Sequence, residues 1–425
     1  MNRSWVGIAL LGLLLSAACD GRTDLDASVG DDAGQDGGAA LDAGIDAGPR
    51  TCADQLAERR VSLDPDGPLT QIHPSAVFDG EGIWVVYVRP EPGGGNFDVW
   101  ATRRGCDGAV LVAPFLVQAD PAGNDIDPAI ARSGDQLLVA WNTDDGTGGT
   151  DNLQVRYRVM DLDGTLHGDR DETLRTVRMG TPITDNHLGA DVAATSTGFV
   201  VAGARAVPDV MRFQAYAQRL DRSGALVGEA LEPLLEPMVT QSNAAIGVAA
   251  DDGLFLAYDR APDDTTAPTQ VMLSRLDGSA PELALEGLEA SGGADVLVDG
   301  DATWVAMSGD DGAQIDLRIF DASEPLATRV FRTLGEAGAV DHSPQLARSG
   351  DGAVAVAWFR QIRGFSNELL VASVTDPAST PATVDSPVPS YAPAITHVMN
   401  DWWFVSYAIG DSPDFRLVGR FVQLP

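Results

Sequence analysis

Five histidines occur in 425 residues, and three of them stand just before or at the start of runs that read as β-strands. His73 precedes Pro74, His187 follows Asp185 and Asn186, and His342 lies between Asp341 and Ser343. Comparable stretches carry Asp125 and Asp127, Asn243, and Tyr391. Imidazole titrates near neutral pH and bonds through both nitrogens. Brought to one mouth, His73, His187 and His342 with Asp127, Asn243 and Tyr391 could move protons, bind a polar ligand or hold a metal ion. Polar residues before a strand serve local turn hydrogen bonding equally well. A second set is acidic. The loops at 142–152 and 308–316 carry Asp144, Asp145, Asp310 and Asp311, and Asp263 and Asp264 lie in a similar loop. Oxygen-rich loops suit calcium. Neither of the two longer loops completes the alternating aspartate pattern with its following glycine and distal acid. Gly-x-Ser-x-Gly elbows and His-Glu-x-x-His helices are both missing from the sequence.

The elements that must position these residues repeat. Two large apolar residues, a small one, and an aromatic or its substitute recur as WVVY at 84–87, LVAW at 138–141, VVAG at 200–203, FLAY at 255–258, WVAM at 304–307, AVAW at 355–358 and FVSY at 404–407. The copies lie roughly 50 to 60 residues apart, a propeller-blade period. Upstream of each comes a short strand, often opened by proline, as in PAIARSGDQ at 128–136 and PQLARSGDG at 344–352. Downstream comes an alternating strand such as LQVRYRVMD at 153–161 or IDLRIFD at 315–321, then a weaker fourth strand. The expected fold is all-β, a seven-bladed β-propeller of four-stranded antiparallel blades over 51–425. The seventh unit ends at its third strand, FRLVGRFV at 415–422. Arg59 to Leu63 can supply the missing strand as an N-terminal clasp that removes two exposed edges. In the third unit Gly203 and Ala204 replace the aromatic, which predicts a thinner core there. Of Trp402 and Trp403, alternation sends one into the core and the other to the opposite side.

The N-terminus reads as a targeting segment over 1–18: Arg3, the apolar run Val6 to Leu15, then Leu15-Ser16-Ala17-Ala18-Cys19. This resembles the bacterial lipoprotein signal, which implies acylation of Cys19 and anchorage of the mature chain to a membrane. Ser16 is a looser fit than the usual aliphatic residue, and cleavage near Ala18 by an ordinary signal peptidase is the alternative. Residues 19–50 are Asp, Ala and Gly in near-repeats, including DAGIDAG at 42–48, and are expected to be an acidic disordered linker. Such linkers behind a lipoprotein cysteine are similar to those of myxobacterium-like lipoproteins. With Cys19 as the anchor, Cys52 and Cys106 are left as a pair in an oxidising compartment, and a disulfide is expected beside the clasp.

The formal net charge of −34 argues against nucleic acid as a partner, since phosphate binding needs clustered basic residues. Family marks on this fold do not fit well. Ser349-Gly350-Asp351 resembles the start of a sialidase turn, but the tryptophan spacing is wrong, and the WD40 and kelch marks are missing. The expectation is therefore a lipid-anchored protein of the bacterial cell envelope, monomeric, on the periplasmic face or cell surface. Its propeller face would bind a protein, peptide or glycan without a cofactor, calcium being the ion to test. The competing expectation is an extracytoplasmic hydrolase or lyase acting on glycan or lactone at a His/Asp-lined channel mouth.

Overall fold

A run such as WVVY does not suit an open sheet, because its successive side chains point to opposite sides and all are apolar. In the computed structural model both sides are covered. The structure describes residues 52–424 except 91–95, 120–122, 145–152, 179–180, 184–186, 208–211, 235, 237, 263–267, 285–288, 311–314, 337–338, 363–365, 390–391 and 412. Cys19 and the tether, Asp145, Asp185, Asn186, Asp263, Asp264, Asp311 and Tyr391 lie outside the described residues.

The described residues form seven four-stranded antiparallel blades, the expected propeller. The first blade is Ile72–Phe78, Gly82–Pro90, Phe97–Gly105 and Val110–Leu116. The next five begin at Asp125–Ser133, His187–Ala194, Val239–Val248, Glu289–Asp299 and Val340–Arg348. The fifth and sixth are joined by a single parallel bridge between Ile315 and Val340. The seventh comprises Ala394–Met399, Trp402–Ile409 and Arg416–Gln423, and its fourth strand is Arg59–Ser62 from the other end of the chain. Arg59 lies opposite Phe421 and Ser62 opposite Val418. Leu63 extends the clasp by one backbone bond to the Leu417 carbonyl, 3.1 Å. First strands touch one another around the ring and are therefore the innermost.

Each blade interface has its own apolar cluster, and the second strands feed two at once. Trp84, Val86 and Val88 face the second blade, with Leu137, Val139 and Trp141 opposite. Ile83, Val85 and Tyr87 turn the other way, onto Phe404, Leu417 and Phe421 of the seventh blade. The terminal aromatic of the repeat always meets the preceding blade: Trp141 the first, Tyr258 the third, Trp358 the fifth, Tyr407 the sixth. Full burial of such a side chain contributes roughly 1.5 to 3 kcal/mol.

The third blade corrects one expectation. Its core is not thinner, because Tyr216 on the third strand lies directly opposite Gly203 and fills the interface with the second blade. The hydrophobic slot is kept, and the residue supplying it moves one strand outward. Trp403 is buried as expected, whereas Trp402 packs partly against the interface between the seventh and first blades.

Seven of the 62 acidic residues serve turns. Asp79, Asp107, Asp163, Asp221, Asp277, Asp321 and Asp376 each accept a backbone N–H two or three residues on, within 2.8 to 2.9 Å. These are Asx turns between strands on the face where first strands end.

Cys52 and Cys106 are joined in a disulfide, Cα atoms 5.3 Å apart and 54 residues apart in sequence. The loop-entropy relation assigns such a bridge about 4 kcal/mol. Cys106 is buried in the same cluster as Val61 and Leu63 of the clasp, so bridge and clasp secure one seam. Deleting 59–63, or replacing Cys106 by Ser, should lower the melting temperature by several degrees in a thermal scan, and an unchanged midpoint in both would show that the seam is held elsewhere.

Candidate functional site

Six of the seven first strands break register near their start. Two consecutive residues are skipped against one on the second strand: His73 and Pro74, Asp127 and Pro128, Gly189 and Ala190, Asn243 and Ala244, Ser343 and Pro344. The fifth blade breaks between Ala290 and Ala294. These are β-bulges, and the first residue is left-handed, with φ of 52° at His73, 50° at Asp127, 73° at Gly189, 49° at Asn243 and 54° at Ser343. Proline fits the second position in three of them because the ladder hydrogen bond is already lost there. The bulges lie on the face where first strands begin and second strands end, around the head of the channel.

This register separates the three histidines, which the repeat alone aligns. His73 is the bulge residue itself, His342 stands one place before its bulge, and His187 two places before. His187 is buried and packs edge-on against Tyr216, ring centroids 5.1 Å apart. It completes the core around Gly203 and does not open onto the mouth. His342 leans on Phe359 at 5.9 Å with Nδ1 3.2 Å from the Ser343 hydroxyl, and burial lowers its pKa. Asn243 donates to Asp259 at 2.7 Å, and burial raises Asp259 to about 6 despite that bond.

His73 and Asp127 do come together. Nδ1 of His73 lies 2.6 Å from the Asp127 carboxylate, and both side chains keep solvent access, 27% and 43% exposed. They occupy equivalent bulges on adjacent blades. Burial works against the Asp127 charge, but His73, as a charge and as a hydrogen-bond partner, and a hydrogen bond from Asn142 outweigh it and hold the carboxyl below its usual value. The arrangement is a carboxylate-oriented imidazole at a channel mouth, a unit suited to proton transfer. Asn142, at the end of the second strand of the second blade, was not legible as part of it. Its neighbourhood to Asp127 arises only from the bulge.

Arginines of the same face are turned inward. Arg89 bonds Asp64, Arg205 bonds Glu232 at 2.5 Å, Arg260 bonds Glu236 at 2.5 Å, and Arg360 bonds Asp341 at 2.9 Å and Glu336 at 3.3 Å. Each stands two residues after the repeat's terminal position. Most of the acids they hold lie in the links between blades, so these pairs pin the incoming chain to the blade. The calcium candidate Asp144 uses its carboxylate on Asn124, accepting from the backbone at 2.9 Å and the side chain at 3.1 Å. Among the described residues no group of three or more His, Cys, Asp or Glu side chains is arranged to hold a metal ion.

Below the mouth, inner-strand carboxylates bind blades together. Asp191 accepts from Ile246 N–H of the next blade at 2.7 Å, and Asp295 from Leu346 N–H at 2.6 Å. Burial raises Asp191 to about 6, and burial with the Asp191 charge raises Asp295 to about 7. Asp125 is fully buried beside Trp141 and Thr143, neither of which makes a well-aligned hydrogen bond to it, and burial raises it to about 7.

The fold is shared with solved structures of low sequence identity. A protein of unknown function from Dyadobacter fermentans DSM 18053 is 11% identical and covers 86% of this chain and 98% of its own, TM-score 0.52. An ulvan lyase, described as a new family of polysaccharide lyase and bound to -[GlcA(1-4)Rha3S]-, is 11% identical, covering 84% and 95%, TM-score 0.54. No protein-family model and no curated protein matches the chain.

Asp125, Asp191, Asp259 and Asp295 all bind their protons more tightly in the folded state than at the ordinary value of 3.8. Their contribution is complete below about pH 4 and is lost as pH rises through 6 to 7. The melting temperature should therefore fall between pH 4.5 and pH 8, by at least about 5 °C. Asp125→Asn with Asp295→Asn should flatten the profile, and a parent profile that is flat or rises would contradict the assignment.

Proposed function

We propose that this propeller is a lipid-anchored envelope protein acting on a glycan at the head of its channel, with His73 exchanging the proton and Asp127 orienting it. The observation that carries this reading is the 2.6 Å contact between His73 Nδ1 and Asp127 from adjacent blades, in side chains that solvent reaches. A carboxylate on Nδ1 fixes the orientation of the ring, and a positioned acid or base of this kind accelerates bond cleavage by roughly 10² to 10⁴. The fold likeness to a polysaccharide lyase supports the glycan side of the reading by analogy. A binding or scaffolding face, the leading expectation from sequence, would not require an oriented imidazole at the mouth.

Purified protein incubated with a panel of polysaccharides should shorten at least one. His73→Ala should lower that rate by roughly 100-fold or more with an unchanged melting temperature. Asp127→Asn should lower it and displace its pH profile. Failure of the parent protein to shorten any polysaccharide, or full activity in His73→Ala, would overturn the proposal. For the anchor, Cys19→Ala should move the protein from the membrane fraction to the soluble fraction, and continued membrane retention would count against acylation.

A further inference from the structure

We propose a second ligand site, for a protonated amino sugar, between the sixth and seventh blades on the face opposite the mouth. It is independent of the reading above. The turns that follow the first strands of these two blades flank a cavity of about 150 Å³. Asp351 and Ser373 of the sixth blade line it, with Asn400, Asp401 and Trp403 of the seventh. Trp403 is the residue that asks for a ligand. It is 2% exposed, and its indole N–H meets no acceptor among the described residues. The nitrogens of Trp84, Trp100 and Trp141 are sealed in the core without partners; that of Trp403 is not sealed, and its ring forms part of the cavity wall. Packing alone does not call for an indole here. The same place before the repeat motif holds Ile83, Leu137, Phe199, Leu254, Thr303 and Val354 in the other blades. A buried indole N–H ordinarily finds a partner, and an acceptor atom on a ligand would complete this one.

The other walls choose the charge of that ligand. Asp351 accepts from the Ser349 hydroxyl and Asp401 from the Gln423 amide, and no arginine is among the residues lining the cavity. The Ser349 hydroxyl above all, with hydrogen bonds of its own turn and the nearby His397, holds the Asp351 carboxyl below its usual value. Carboxylates without a lining counter-charge favour a cation and disfavour uronates and sulfates. A bare metal ion does not fit the set, because an indole N–H only donates. An ammonium group can donate to the carboxylates while a hydroxyl of the same ring accepts from Trp403, and a hexosamine with a free amine carries both. His397 steadies this wall, packing edge-on against Trp403 with ring centroids 4.9 Å apart and Nε2 2.8 Å from the Asn400 carbonyl oxygen.

Calorimetry at moderate salt with glucosamine and its free-amine dimer, against the N-acetylated dimer, putrescine and calcium chloride, tests the site. The free-amine dimer should bind, and the acetylated dimer, which lacks the charge, about tenfold more weakly or worse. Trp403→Phe keeps an aromatic ring and removes the N–H; Asp401→Asn keeps the shape and removes a charge. Each should weaken binding by about tenfold or more, with melting temperature as the folding control. His73→Ala, at the opposite face, should leave it unchanged. Equal affinity for the acetylated dimer, undiminished binding in Trp403→Phe, or heat with calcium alone would overturn the proposal. Putrescine, an amine without hydroxyls, binding as tightly as the sugar would reduce the site to general charge attraction and overturn it as well.

Discussion

Burial of each second strand on both faces is the constraint from which the rest follows. A strand apolar on two sides needs a neighbour on two sides, so no blade of this chain can stand alone, and an open row would leave two end blades uncovered. Closing the ring gives Ile83, Val85 and Tyr87 their partners in the seventh blade. The clasp Arg59–Ser62 then completes with hydrogen bonds what the apolar contacts demand. Register within each blade is fixed as a consequence, because a slip by one residue would exchange the sides facing the two neighbours.

That rigidity concentrates irregularity at the strand heads. The bulges relieve the ladder where the first strands approach the axis, and they turn otherwise inaccessible positions toward the mouth. His73 and Asp127 meet because equivalent bulges on neighbouring blades place them side by side. The arginine latches of the same face keep the incoming links down around the mouth. Seven aspartates of the opposite face serve its turns as backbone acceptors.

The architecture was legible in the sequence to an unusual depth, and the site only in part. Seven apolar motifs have one physical explanation, and the chain's end at a third strand pointed to the clasp and to the cysteines beside it. The thinner third core failed because Tyr216 is invisible to a motif confined to the second strand; its position opposite Gly203 is a cross-strand relation. The three histidines failed as a set for a similar reason. An offset of one or two residues is trivial in a repeat and decisive at a bulge, where it separates a mouth position from a core position. His73 could be named, but its pairing with Asp127 and the role of Asn142 needed the register.

The position of the Cys52–Cys106 bridge has a mechanical consequence. Tension arriving from the N-terminal side would otherwise open the clasp from Arg59 onward, breaking its hydrogen bonds one at a time, the weakest way to load a strand. The bridge lies seven residues before the clasp begins and leads to the first blade. Load would enter the body there through a covalent bond, leaving the closing strand slack.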